Sequence, residues 1–181
     1  RGEHVEYRGQ TLTTAGQVDV PGATPPSVLV SALGPLMLRT AGELADGTVT
    51  VWTGPEAVDD HIRPTITRAA AAAGRPAPRI VATVIVSVTT DPEGVRQAVA
   101  DQLGFAAQLP SYRAILDRQG KRGVHETVVA GDETTVAKAV RRYADAGVTE
   151  LLVGPFGGER EQRRTIETLA SLRTETGQPQ P

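Results

Sequence analysis

The segment best suited to hold a ligand is Ser31-Ala32-Leu33-Gly34-Pro35. A short apolar run ends there, a glycine lets the backbone approach a bound group, and Pro35 suits the first position of a helix. Backbone N–H groups at such a helix start point outward together. The aligned peptide dipoles then favour an anion, a phosphate above all. The same residues also describe a plain tight turn between a strand and a helix, and spacing alone leaves both readings open. The turn lacks the Gly-Lys-Ser/Thr ending of a P-loop and the six-residue glycine pattern of dinucleotide-binding folds.

Trp52-Thr53-Gly54 is a second candidate and holds the only tryptophan of the chain. An indole at a strand end can pack on a flat ring, and a threonine hydroxyl can donate to a phosphate. Equally, Thr53 or Gly54 can cap the helix that Pro55 starts. Gly154-Pro155-Phe156-Gly157-Gly158 is a third turn, either a phosphate loop or a plain entry to the last helix.

The three histidines, His4, His61 and His125, are scattered, and cysteine is absent, so no metal site is expected. His61 is expected on a helix surface. Lys121-Arg122 and Arg141-Arg142 read as solvated faces rather than a nucleic-acid patch. No hydrolase elbow of the G-x-S-x-G type occurs. These constellations supply no catalytic residue.

The elements that must position the turns alternate between strand and helix. Residues 4–14 read as a hairpin around Arg8-Gly9-Gln10, followed by a Pro- and Gly-rich connector to Pro26. Four segments read as parallel strands: 27–32, 48–52, 80–88 and 149–153. Helices are expected over 36–45, from Pro55 to the break at Arg75-Pro76-Ala77-Pro78, from Pro92, over 112–119, from Gly131-Asp132, and over 159–172. Each strand–helix join carries Gly, Pro, Thr or Asp. Such joins lie at the carboxyl ends of strands, where α/β folds place ligands.

Composition bounds the rest. The chain has 181 residues, one domain by length, with a formal net charge of -2. That charge gives no general pull toward nucleic acid or an anionic membrane. Aromatics make up 3% of residues, so Ala, Val, Leu and Ile must build the core. No apolar run approaches the roughly 20 residues that span a bilayer. Without cysteine or a signal-like first segment, a cytoplasmic protein is expected. The chain opens at Arg1 with Gly2 placed as if to end a helix, and its only methionine is Met37, so a longer parent is expected.

The run PPSVLVSALGPLMLRTAGELADG, residues 25–47, resembles the luciferase-like monooxygenase family in its F420-dependent branch. There a strand ends in a small-residue turn and Gly-Pro, and a helix closes on Leu-x-x-Ala-Gly-x-x-Ala-Asp-Gly. In this chain Leu38, Ala41-Gly42 and Ala45-Asp46-Gly47 fill that ending. TVTVWTGPEAV, AAAAAGRPAPRIVATVIVSVTTDPEGVR, QLPSYRAIL and GDETTVAKAVRRYADAGVTELLVGPFG resemble the following units in order.

The resemblance implies an α/β fold, the C-terminal half of a TIM (β/α)8 barrel, strands five to eight. It divides the chain into hairpin and connector (1–26), βα units (27–173) and a tail (174–181). It implies that Ser31, Ala32, Leu33 and Gly34 contact the cofactor phosphate region and that Trp52, Thr53 and Gly54 add a second contact to the same end. Leu33 departs from the more glycine-rich turn of many members. The implied chemistry is hydride transfer between coenzyme F420 and a small organic substrate. The Gly-Pro-Leu-Met-Leu turn and the Thr-Gly-Pro-Glu loop look closest to the F420 branch, with FMN the alternative. Residues that grip the deazaflavin ring and the substrate belong mostly to the half not present, so the chain alone is expected to be inactive. The contrasting expectation is a non-catalytic half-barrel that forms a homodimer or pairs with another subunit.

Overall fold

The computed structural model describes residues 3–176. Gly2, expected to end a helix, and residues 177–181 of the expected tail lie outside them. The hairpin forms as β1 (Val5–Arg8) and β2 (Thr13–Gly16), antiparallel and exposed throughout.

The main sheet is parallel. Its strands are β3 (Leu29–Ser31), β4 (Gly47–Val51), β5 (Arg79–Val88), β6 (Val129–Gly131) and β7 (Glu150–Pro155). All four expected strands are present and adjacent in the order β3-β4-β5-β7. The short β6 was not expected. β5 pairs β4 through Thr83 and β7 through Val86, and β6 takes Val86 to Val88. Because Val86 pairs β6 and β7 at once, β6 lies on the β4 edge and continues it where β4 ends.

The helices are α1 (Pro35–Leu44), α2 (Pro55–Ala57), α3 (Arg63–Ala72), α4 (Pro92–Leu103), α5 (Pro110–Arg118), α6 (Glu133–Asp145) and α7 (Glu159–Thr176). A π-helical turn, Val58–Ile62, joins α2 to α3. α7 continues through Thr176, past the expected end at Leu172 and into the segment expected as tail.

Side chains alternate across the sheet. Ile80 packs with Leu38 and Ala41 of α1 and with Ile62 and Ile66. Ala82, Val84 and Val86 pack with Val136 and Tyr143 of α6. These even positions of β5 form the helix-covered face. The registers place Leu29, Val49, Thr83, Ile85 and Leu152 on the opposite face. That face is incompletely covered, and Leu152 is 56% exposed. The α4–α5 excursion reaches it at the carboxyl end, where Trp52 and Ile85 pack against Val95, Val99 and Leu116.

The motif that carries the family resemblance is a scaffold clasp. Leu38, Ala41 and Ala45 are buried. A Cβ on Gly42 would come within 2.6 Å of the Ile66 carbonyl oxygen, and one on Gly47 within 2.1 Å of that of Arg79. Both glycines are required by close approach of backbone. Asp46 accepts from the Val28 N–H at 2.8 Å and from Arg75 at 3.0 Å. Its carbonyl accepts from the Arg79 N–H. One residue thus ties together the starts of β3 and β5 beside β4, which fixes where the carboxyl ends of those strands emerge.

Candidate functional site

A cavity of about 670 Å³ opens at the carboxyl end of β3. Ser31, Ala32, Leu33 and Gly34 line it on one side. One face of α5, carrying Ser111, Ala114, Ile115 and Arg118, lines it on the other. These positions recur at helical spacing, so a single α5 stripe faces the turn. Leu36 and Met37 sit on the rim with exposed side chains. Sequence reasoning found the turn and missed the α5 wall, because nothing local signals which loop folds across a strand end.

Gly34 is the N-cap of α1, and no side chain caps it. The first helical bond runs from the Leu38 N–H to the Gly34 carbonyl. The N–H groups of Leu36 and Met37 precede that bond and have no acceptor among the described residues, as expected at an uncapped start. Gly34 has φ -86°, which any residue adopts. Beyond its two chain neighbours, no heavy atom lies within 4 Å of where its Cβ would sit. Neither backbone strain nor packing demands glycine there, and the space in front of it is open.

The starts of α4, α6 and α7 are filled from within, whereas those of α2 and α5, like that of α1, carry no side-chain cap. Asp91 accepts from the Gly94 N–H at 2.9 Å, and Asp132 from the Thr135 N–H at 2.8 Å. These hydrogen bonds hold the Asp132 carboxyl below the ordinary aspartate range. At the third candidate turn, Glu161 accepts from the Gly158 N–H at 2.7 Å. That is half of a capping box. Its carboxylate brings negative charge to the place an anion would take.

The Trp52–Gly54 turn does not line the cavity. Thr53 is buried, and its hydroxyl donates to the Val51 carbonyl at 3.0 Å. It therefore does not cap α2; Gly54 is the N-cap. Gln119 closes the turn from both ends: its oxygen accepts from the Gly54 N–H at 2.7 Å, and its amide donates to the Trp52 carbonyl at 2.9 Å. Trp52 has φ +52°, the only left-handed non-glycine residue among those described. Its ring meets Tyr112 edge-on at 4.5 Å. Tyr112 is a wall residue, so Trp52 reaches the cavity at one remove.

His61 corrects the expectation of a surface residue. It is 7% exposed and lines the cavity. Its Nε2 lies 2.9 Å from the Leu33 carbonyl oxygen. The signal was present: His61 is three residues after Val58 and one before Ile62, on the apolar side of its helix. Among the described residues no cluster of His, Asp and Glu could hold a metal ion. No described helix is long and apolar enough to cross a membrane.

Parallel strands, outer helices and a cavity at the strands' carboxyl ends define an α/β protein whose cavity lies where that class places ligands. A model of the luciferase-like monooxygenases matches residues 1–150, and the chain belongs to that family. It is 28% identical to the 5,10-methylenetetrahydromethanopterin reductase of Methanopyrus kandleri, over 89% of this chain and 55% of the reductase. The solved coenzyme F420-dependent tetrahydromethanopterin reductase from the same organism superposes with a TM-score of 0.70 at 24% identity, covering 91% of this chain and 56% of that one. The oxygenating constituent of 3,6-diketocamphane monooxygenase from Pseudomonas putida, in complex with FMN, superposes with a TM-score of 0.63 at 15% identity, covering 93% and 57%. The chain therefore spans about half the length of these relatives.

Proposed function

We propose that this chain is strands five to eight of a (β/α)8 barrel, the C-terminal half of an F420-dependent oxidoreductase. Its β3–α1 turn holds the phosphate end of the cofactor. The observation that carries this reading is the open space at Gly34, bounded by unpaired N–H groups and a cavity wall. A phosphate fits such a donor set, because the helix start supplies both hydrogen bonds and a favourable dipole. Arg118 adds a cation to the same cavity.

When bound, the deazaflavin supplies hydride transfer to or from a small organic substrate. The residues of this chain bind and orient it. Ser31 to Gly34 and the first turn of α1 face the phosphate. Trp52 to Gly54, locked by Gln119, brace Tyr112 behind the wall. No group here touches a reacting atom, so no catalytic residue is assigned to this half. The part of the sheet face bearing Leu29 and Leu152 is the lining that the other half of the barrel covers. The compartment that fits a cysteine-free chain is the cytoplasm.

F420 is favoured because the reductase, which superposes with the higher TM-score of the two, is coenzyme F420-dependent. FMN is the second reading, supported by the FMN-bound monooxygenase. The test begins with the reading frame upstream of Arg1, which should encode four further βα units. The full-length protein should then bind F420 about tenfold or more tightly than FMN, a difference of about 1.4 kcal/mol. The reverse order moves the assignment to FMN, and binding of neither overturns it. The 181-residue chain alone should bind both weakly, since half a pocket loses much of the ligand burial. Sub-micromolar binding by this chain alone would contradict the placement of the ring in the other half.

A further inference from the structure

Among the residues that line the cavity, His61 alone is both polar and buried. It stands in the π-helical turn Val58–Ile62, whose end residues are fully buried, so the core fixes its position. Such turns occur often at functional sites. A carbonyl oxygen only accepts, so Nε2 must carry the proton that bonds Leu33.

That bond sets a second group. The peptide joining Leu33 to Gly34 is planar and trans, so its carbonyl and its N–H point in opposite directions. Holding the Leu33 carbonyl on His61 therefore holds the Gly34 N–H facing away from it. That N–H has no acceptor among the described residues. Pro35 adds to the hold by restricting Gly34 to the extended ψ of 157° that it shows.

We infer that His61 is the positioning residue of this anion subsite, holding the Leu33–Gly34 peptide so that the Gly34 N–H is offered to a phosphate beside the free N–H groups of Leu36 and Met37. The inference rests on the reading of the turn as the phosphate end of a cofactor site. His61 touches no ligand atom itself; it acts through the turn.

The test uses the 181-residue chain, inorganic phosphate as the probe, and the backbone amide resonances of Gly34, Leu36 and Met37. Glutamine places its amide nitrogen close to where Nε2 stands, whereas asparagine is a carbon shorter and cannot reach Leu33. In the wild type and in His61→Gln, phosphate should shift the three amides saturably and with similar affinity. In His61→Asn the apparent affinity should fall about three- to tenfold, the loss of one hydrogen bond. Melting temperatures measured on the same samples separate fold from site. If His61→Asn binds phosphate like the wild type, or if both variants lose affinity only in step with melting temperature, the positioning role is wrong. If the wild-type amides ignore phosphate, the reading of the turn itself fails, and this inference with it.

Discussion

Tyr143 of α6 donates its hydroxyl to the carbonyl of Thr53, 3.1 Å away, with both residues buried. This bond ties a helix to the turn after β4, across 90 residues of sequence. Burial pushes the phenol well above its ordinary range, so it stays protonated and a donor at neutral pH. Tyr143→Phe keeps the ring and strands the carbonyl. It should destabilise the protein by about 1–2 kcal/mol, read from chemical denaturation. Cofactor affinity should hold, because the turn lies outside the cavity. An unchanged denaturation midpoint would show that water replaces the hydroxyl.

Two threonines of β4 make a matched pair. Thr48 and Thr50 both point into the helix-covered face and are fully buried. The Thr48 hydroxyl donates to the Val30 carbonyl at 2.8 Å, whereas the Thr50 hydroxyl has no partner. Valine matches threonine in shape and suits a strand. Thr50→Val should therefore stabilise by about 1 kcal/mol, and Thr48→Val should destabilise by a similar amount. Equal effects of one sign in the two variants would refute this account of β4.

Much of this fold was legible because its strands are apolar runs bounded by Gly, Pro and Asp, a local signal. The strand from Arg79 to Val88 announces itself by ten residues without a break. β6 does not, because Val129–Gly131 is strand only where β4 leaves the β5 edge free. The turn at Gly34 was legible from strand, glycine and proline in succession. The α5 wall and the burial of His61 were not, since both depend on contacts between distant segments. Thr53 shows the limit from the other side. A threonine before a helix reads as a cap, yet a hydroxyl that finds the Val51 carbonyl leaves that role to Gly54.

Asp132 should make the start of α6 sensitive to acid. The Thr135 hydrogen bonds lower its folded pKa, so its contribution is complete above the unfolded aspartate value of about 3.9. It is lost as pH falls through the lower folded value. Asparagine caps as well as aspartate but does not titrate in this range. The Thr135 amide of the wild type should therefore exchange faster as pH falls from about 5 to about 2, after correction for intrinsic exchange, while that of Asp132→Asn should show no such step. Asp132→Ala should exchange faster at every pH. A step of equal size in the wild type and in Asp132→Asn would place the titrating group elsewhere.

Gly34 decides whether the β3–α1 turn is a site or a corner. Its Cβ there meets no heavy atom within 4 Å beyond its chain neighbours, and a valine keeps the extended backbone that precedes a proline. The structural cost is confined to the cap, where valine is poorer than glycine, and should be about 1 kcal/mol. A phosphate at the open space would instead meet two methyl groups and lose its approach to the N–H groups of Leu36 and Met37. In the full-length protein, Gly34→Val should weaken F420 binding more than tenfold, or about 1.4 kcal/mol, beyond any effect on folding. Binding of the deazaflavin lacking its phosphate tail should change little, since the ring contacts are untouched. Gly34→Ala should fall between the two for the intact cofactor. Measuring both affinities and the melting temperature on each variant separates the effects. If Gly34→Val binds F420 like the wild type and only melts lower, the turn is structural and the phosphate lies elsewhere.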